Sequence, residues 1–315
     1  MTEVRGRGEG PSSWRPATLR TPDWLFPAPA PAPAPVPEPA PASASVRVPG
    51  RTNAGGPPDP APAPYPDGTL ISRIDSALWR GTGFALLRGV DLEGLTDRQA
   101  VERCAELVDA LCAPAGLRLQ RSAHELLTAA TAPALPHAPA APPAPSGDEN
   151  LLLPHMDRGE GPEPPRLLAL LCVRPAAEGG ASLLASGATL HEELAGTDPD
   201  ALRELHRDFR FGRGSGFDRV RPVFHHDAGV LRVHYNRYWI ARGQEETGTP
   251  FPPARRAALA RMEKLLQDPA MVLTVPLRRG DLLLVNNSAV LHGRTPFTDH
   301  GAPAAGRCYA RVWAD

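Results

Sequence analysis

The chain has 315 residues, 39 of them proline, with a formal net charge of −1 and four cysteines. With no long run of either sign, that charge argues against nucleic acid or an anionic membrane surface as the main partner. Cys104, Cys112, Cys172 and Cys308 form no CxxC pair, which disfavours a disulfide framework or zinc finger and points to a reducing, cytoplasmic setting. No charged-then-apolar leader and no apolar run long enough to span a bilayer is legible.

Pro27 to Pro41 is nearly an alternation of Pro and Ala, and a second cluster runs from Pro57 to Pro66. Such sequence lacks the apolar side chains that offset ordering entropy. Residues 1–68 are therefore expected to be a disordered or polyproline tail outside the fold, and 69–315 one large domain. Gly83 to Val90 is a short apolar run that reads as a buried strand. Thr96-Asp97-Arg98-Gln99 is a capping-box pattern, and Ala100, Val101, Cys104, Leu107, Val108 and Leu111 then repeat at helical spacing. Residues 132–147 are again Pro/Ala-rich, either a surface insertion or a mobile flap beside a site.

Leu167 to Val173 reads as a buried strand, Glu178-Gly179-Gly180 as a turn, and Asp198-Pro199 as the opening of a helix. Arg210 to Arg221 looks like an irregular loop. Val230 to Tyr235, Met271 to Pro276 and Asp281 to Val285 are expected strands, with a helix around Ala254 to Gln267. Short strands, few helices and no regular βαβ alternation argue for a β-sandwich or barrel flanked by helices.

The chemistry concentrates in His155-Met156-Asp157 and in His292 of Val290-Leu291-His292-Gly293-Arg294. In an extended segment, residues two apart project to one side, as two ligands of one metal must. Two imidazoles and one carboxylate can hold one face of an Fe(II) ion and leave three positions open. An HxD pair alone is common in surface loops, but three features strengthen the reading. Ser182 follows a glycine pair where backbone can approach a ligand. His292 follows Asn286-Asn287 at the end of an apolar strand, where a ligating loop residue would be held by rigid scaffold. In the C-terminal strand Cys308, Ala310 and Val312 share one face, while Arg307, Tyr309, Arg311 and Trp313 share the other. That second face is either solvent-facing or turned into a barrel, where the guanidinium groups would need anionic ligands.

Taken in order, these residues resemble the taurine dioxygenase/TfdA family and its clavaminate-synthase-like relatives, which are Fe(II)/2-oxoglutarate-dependent oxygenases. One block runs from Pro154-His155-Met156-Asp157 through Pro164-Pro165-Arg166-Leu167 and Pro175-Ala176-Ala177-Glu178-Gly179-Gly180 to Ser182. The other runs from Gly280-Asp281-Leu282-Leu283 through Leu291-His292-Gly293-Arg294 to Arg307 and Arg311. The resemblance implies a mostly β fold with flanking helices, a double-stranded β-helix (cupin-like jelly roll). It implies iron on His155, Asp157 and His292, with 2-oxoglutarate and O2 as cosubstrates. Arg307 matches the arginine that grips the distal carboxylate of 2-oxoglutarate. Ser182 replaces the usual Thr and keeps its hydroxyl, and Asn286 stands where an Asp commonly precedes the Asn.

Arg311 matches a second arginine that in some relatives meets an acidic substrate group. Arg311, Arg237 and Asn150 are the candidates for substrate contact. The implied reaction is hydroxylation of an unactivated C–H bond in a small, polar, amino-acid-like or otherwise acidic metabolite, with release of succinate and CO2. Asp157, a carboxylate that related halogenases lack, favours hydroxylation or desaturation over halogenation. The alternatives are desaturation or cyclisation by the same oxidative chemistry, or a non-catalytic scaffold whose Pro-rich tail docks a partner. A hydrolytic zinc site on the same ligands lacks an evident general base and leaves Arg307 and Ser182 without a role. A place in specialised-metabolite biosynthesis fits, but neither that nor the oligomeric state is written in the residues.

Overall fold

The computed structural model of the chain describes residues 10–28, 66–120, 125–128, 151–161, 163–211, 219–299 and 306–315. Its architecture follows from a period of two. On the strand Leu282–Asn286, Leu282 and Leu284 belong to one apolar core and Leu283 and Val285 to another. The same division separates Ala85 and Leu87 from Phe84 and Leu86, and Leu167, Ala169 and Leu171 from Leu168 and Cys172. Strands apolar on both faces must be covered on both faces.

Six strands make the larger sheet, in the order Leu25–Pro27, Phe84–Arg88, Leu282–Asn286, Leu167–Arg174, Cys308–Ala314 and Glu125–Thr128. Only its first pair is parallel. One face packs on Ile74 and Leu78 of the helix Gly68–Trp79, and on Cys104, Leu107, Val108 and Leu111 of the helix Asp97–Cys112. The other face shares its core with Leu184, Val275 and Val290. Those residues belong to a four-stranded antiparallel sheet ordered Val272–Val275, Ser182–Ser186, Val290–Arg294 and Leu152–His155. Its outer face, through Leu183, Ala185 and Leu291, meets the helices Gly187–Thr197, Pro199–Leu205, Arg237–Glu245 and Pro253–Leu265. Each fully buried Leu in these layers stabilises the fold by roughly 1.5–3 kcal/mol relative to an exposed one.

The expected boundaries hold where a cap sets them. Thr96 and Gln99 bond reciprocally at the start of their helix, and the Asp198 carboxylate accepts from the amide of Ala201. Two expectations are corrected. Residues 10–28, placed outside the fold with the rest of the 1–68 tail, are part of it. Trp14 is buried with its Nε1–H donating to the carbonyl of Thr82 at 2.6 Å, and Leu25–Pro27 adds the parallel edge strand. Trp14, Leu19, Trp24, Leu25 and Phe26 precede the Pro/Ala alternation, and their apolar area offsets their ordering. Likewise, the segment read as a loop from Arg210 carries two antiparallel strands, Asp208–Phe211 and Arg219–Pro222. The Pro/Ala runs at 29–65 and the 132–147 insertion lie outside the described residues.

Candidate metal centre

His155 ends its strand directly opposite His292, the two being register partners. That pairing brings their rings together, tilted at 42° with centroids 4.7 Å apart. Asp157 lies in the turn just beyond. Its Oδ1 is 3.6 Å from Nε2 of His155 and 3.4 Å from Nε2 of His292. Among the described residues, these three are the group whose ligand atoms all lie within 4.8 Å of one another, so they could hold a metal ion. Donors fix the orientations. Nδ1 of His155 lies 2.9 Å from the carbonyl of Leu153, which sets Nε2 as the outward lone pair.

The turn is clamped by Asn287. Its Oδ1 accepts the amide of Asp157 at 2.9 Å, and its Nδ2 donates to the carbonyls of Asp157 and Pro165 at 3.0 and 2.9 Å. Asn286, the residue that departs from the family pattern, bonds elsewhere. It donates to the carbonyl of Leu78 and accepts from Ser288, with no part in the triad.

Oδ2 of Asp157 faces the other sheet. There it accepts from Nε1 of Trp313 at 3.0 Å and from Nη1 of Arg311 at 3.2 Å. One carboxylate oxygen is thus held by protein donors and the other is left toward the two imidazoles. Burial opposes the charge on Asp157. The close imidazoles of His155 and His292 and the positive charge of Arg311 outweigh it and hold the carboxyl well below its ordinary range. Burial pushes His292 below the usual imidazole value, which favours the neutral form that ligates metals. Trp313 is itself sandwiched, with the Arg158 guanidinium 4.1 Å and that of Arg311 4.4 Å from its ring centroid. Arg158 has φ of 54°, in the left-handed region that costs a non-glycine residue energy.

Arg307 lies on the same strand face as Arg311 and Trp313, two pleats away. It is buried, with its guanidinium 4.0 Å from the Tyr309 ring centroid and 5.3 Å from that of Phe297. Its Nε has no hydrogen-bond partner among the described residues. Burial lowers its pKa, partly offset by the nearby Tyr309, Cys172 and Asp299. Arg294 also lies over the Phe297 ring, 4.4 Å from its centroid, and burial with the charge of Arg307 lowers its pKa to about 10. Ser182 is buried in register with Arg294. The glycine pair before it permits this approach: both have φ of 70°, and a Cβ on Gly179 would lie 2.1 Å from the carbonyl oxygen of Pro296. The result is a pocket of one buried and one half-buried guanidinium group and a hydroxyl-bearing strand, which suits a carboxylate.

The structure therefore brings His155, Asp157 and His292 together and sets Ser182 and Arg307 around one cationic pocket. The three candidates for substrate contact stand differently. Arg311 is committed to Asp157 and, through Nε and Nη2, to Glu125. Arg237 is committed to Glu263 at 2.6 Å. Asn150 lies outside the described residues. The residues that sequence reasoning passed over are Asn287 as a clamp, Arg158, Arg294 and Phe297. Trp313 was placed on the right face, but its bond to Asp157 spans 156 positions and leaves no local signal.

Comparison with known proteins agrees with this geometry. The family described as "Taurine catabolism dioxygenase TauD, TfdA family" matches residues 61–313. A uridine-5'-phosphate dioxygenase of Streptomyces sp is 36% identical over 140 residues, 41% of this chain and 49% of the relative, so the match spans about half that protein's length. The FR-33289 synthase of Streptomyces rubellomurinus (strain ATCC 31215) is 23% identical over 256 residues, 78% of this chain and 73% of the relative. Among solved structures, the non-heme iron oxygenase OrfP in complex with Fe and L-homoarginine has a TM-score of 0.52 at 15% identity, over 79% of this chain and 80% of that one. At that identity the likeness is one of fold alone. No helix among the described residues is long and apolar enough to cross a membrane.

Proposed function

The chain belongs to the taurine catabolism dioxygenase TauD, TfdA family of non-haem iron dioxygenases, and from that premise we propose that it oxidises an unactivated C–H bond of a small polar metabolite, using Fe(II), 2-oxoglutarate and O2. The observation that carries this reading is the division of labour at Asp157, with Oδ2 taken by Trp313 and Arg311 and Oδ1 left among the two imidazoles. In this reading His155, Asp157 and His292 hold the iron, and the two facing sheets form a double-stranded β-helix, supported by the fold shared with OrfP. Bound Fe(II) supplies O2 activation coupled to decarboxylation of 2-oxoglutarate to succinate and CO2. The protein's own residues bind and orient. Arg307 pairs with the distal carboxylate, Ser182 adds a hydroxyl donor beside it, and Arg294 adds a second positive charge. Trp313 and Arg311 hold the ligand carboxylate at a fixed angle, and burial of Asp157 and His292 keeps water from their unused lone pairs.

The substrate is assigned by class only. The relative at 36% identity carries the name of a nucleotide oxygenase, so pyrimidine nucleotides belong beside acidic amino acids in the first panel. Hydroxylation is the reaction proposed, and desaturation or cyclisation would appear as loss of two hydrogens rather than gain of one oxygen in the product mass. The test begins without substrate. Apo-protein is titrated anaerobically with Fe(II) and then with 2-oxoglutarate while the visible charge-transfer band of the chelate is monitored. The band should need both reagents, vanish in His155→Ala, and require far more 2-oxoglutarate in Arg307→Ala. Folded protein that binds Fe(II) and gives no band with 2-oxoglutarate would reject the assignment and bring the zinc hydrolase reading forward.

A further inference from the structure

A second cluster of histidines lies outside the triad, on the helical layer that covers the four-stranded sheet. His191 is on the helix Gly187–Thr197, His206 caps the helix Pro199–Leu205, and His226 is on the strand Phe224–Asp227. These elements are joined through buried Phe224, whose ring lies 5.4 Å from that of His191 and 6.2 Å from that of His206. Packing on that ring turns the two imidazoles toward each other, so that their Nε2 atoms are 3.1 Å apart. The His226 ring is 6.2 Å from His191 and stacked at 6.4 Å on His206, with 7° between the planes. His206 and His226 are exposed and His191 is half-buried.

The 3.1 Å separation is informative. Two imidazole nitrogens each ~2.0–2.1 Å from one ion stand roughly 2.9 Å apart at a right angle and roughly 3.4 Å apart at a tetrahedral angle. The observed pair falls between the two. His206 also hydrogen-bonds the backbone of Phe224, which favours its protonation and partly offsets burial. Burial and the mutual charges of the cluster push His191 and His206 below the usual imidazole value, so both are neutral at pH 7, the form that binds metals. The charged groups acting on them are Glu192, which favours protonation of His191, and His226, which opposes it in both. Two nitrogens already converge, and the exposed His226 ring, 6.2 and 6.4 Å from the other two, would have to rotate to bring in a third.

We propose that His191, His206 and His226 form a second metal site, which takes a borderline divalent cation such as Zn2+, Ni2+ or Cu2+. All-imidazole donors select these ions over Mg2+ or Ca2+, and the usual affinity order places them above Fe(II). The site fastens two helices and a β-ribbon together on the outer surface, and it does not depend on the catalytic reading.

The test uses the full chain. Zn2+ is titrated into metal-free protein in competition with a chromogenic chelator, and the stoichiometry is read. Wild type should bind two ions and His155→Ala one, the latter with an accompanying rise in Tm. Adding His206→Gln or His226→Gln to His155→Ala should each weaken the remaining ion at least tenfold and abolish the Tm rise. Both residues are exposed, and Fe(II) binding by the single variants, which keep the triad, verifies the fold. If His155→Ala binds no Zn2+ at micromolar concentrations, or binds it unchanged in both double variants, the proposal is wrong and His191–His206 is an ordinary hydrogen bond. Weakening by His206→Gln alone would remove His226 from the site and overturn the three-ligand assignment.

Discussion

Replacing Trp313 by Phe should loosen the iron site without touching any ligand. The phenyl ring can keep the stack between Arg158 and Arg311, whose guanidinium carbons lie 4.1 and 4.4 Å from the indole centroid, but it removes the Nε1–H that reaches Oδ2 of Asp157 at 3.0 Å. A hydrogen bond to a charged, buried group is worth about 1.5–3 kcal/mol. At about 1.4 kcal/mol per tenfold this corresponds to roughly 10- to 100-fold in Fe(II) affinity, the range expected when a partner behind a metal ligand is lost. Arg311→Gln removes the other donor on the same oxygen and should cost a similar amount. Because the two donors restrain one atom, the double variant should weaken binding by less than the product of the single effects. Anaerobic competition with a chromogenic Fe(II) chelator measures all three, with circular dichroism verifying the fold. Fe(II) affinity within twofold of wild type in Trp313→Phe would refute the idea that the second sheet holds the ligand.

Arg307→Gln should weaken 2-oxoglutarate binding on the order of 100-fold while leaving Fe(II) affinity intact, since it removes one partner of a buried charge pair; equal loss of both in titrations would argue for misfolding instead. Trp14→Ala should destabilise the protein by about 3–5 kcal/mol in urea unfolding, the usual cost of truncating a buried Trp, whereas a residue in a disordered tail would cost nothing. Nε2 of His234 donates to the carbonyl of Gly159 at 2.8 Å, and burial lowers its pKa to about 4. The unfolded imidazole protonates near its reference value of ~6.5, so the unfolded state takes up the proton first as pH falls. The contribution is complete above that pH and is lost progressively toward pH 4, about 3 kcal/mol in all. Urea unfolding from pH 7 to pH 4 should show that loss in wild type and a flatter curve in His234→Gln; parallel curves would refute it.

What was legible in the sequence was whatever has a short period or a short motif. Apolar runs placed the strands Leu282–Asn286 and Leu167–Arg174, alternation gave the two faces of Cys308–Ala314, and the Thr96–Gln99 box placed a helix start. The triad was legible because an HxD pair and a strand-end histidine are each local. The order of the strands was not, since Leu282–Asn286 sits between Phe84–Arg88 and Leu167–Arg174 in the larger sheet. The role of Arg311 also escaped. Its strand face was read correctly, but nothing local shows that its guanidinium bonds Glu125 and Asp157. The N-terminal segment shows composition misleading in the other direction, because two proline-rich runs coloured the reading of the aromatic stretch that precedes them.

The placement of the metal ligands gives the architecture its point. His155 and His292 are neighbours in one sheet, so their separation is fixed by a backbone ladder that resists distortion. Asp157 leaves that ladder, and its carboxylate is positioned by Trp313 and Arg311 of the opposite sheet. The angle at which the third ligand meets the ion therefore depends on how the two sheets pack across Leu168, Leu184, Leu283 and Val290. Large-to-small changes in that shared core, far from any charged group, should then weaken Fe(II) binding along with stability. Equal changes beneath the helices at Val108 or Leu284 should lower stability and leave Fe(II) affinity of the folded protein unchanged. Stability loss is expected at both places, at about 2–5 kcal/mol for a buried Leu→Ala. Only the inter-sheet substitutions move the carboxylate, so the ratio of affinity loss to stability loss, measured for Leu283→Ala against Leu284→Ala, separates this coupling from general loosening. The same ratio in both variants would mean that the turn held by Asn287 positions Asp157 by itself.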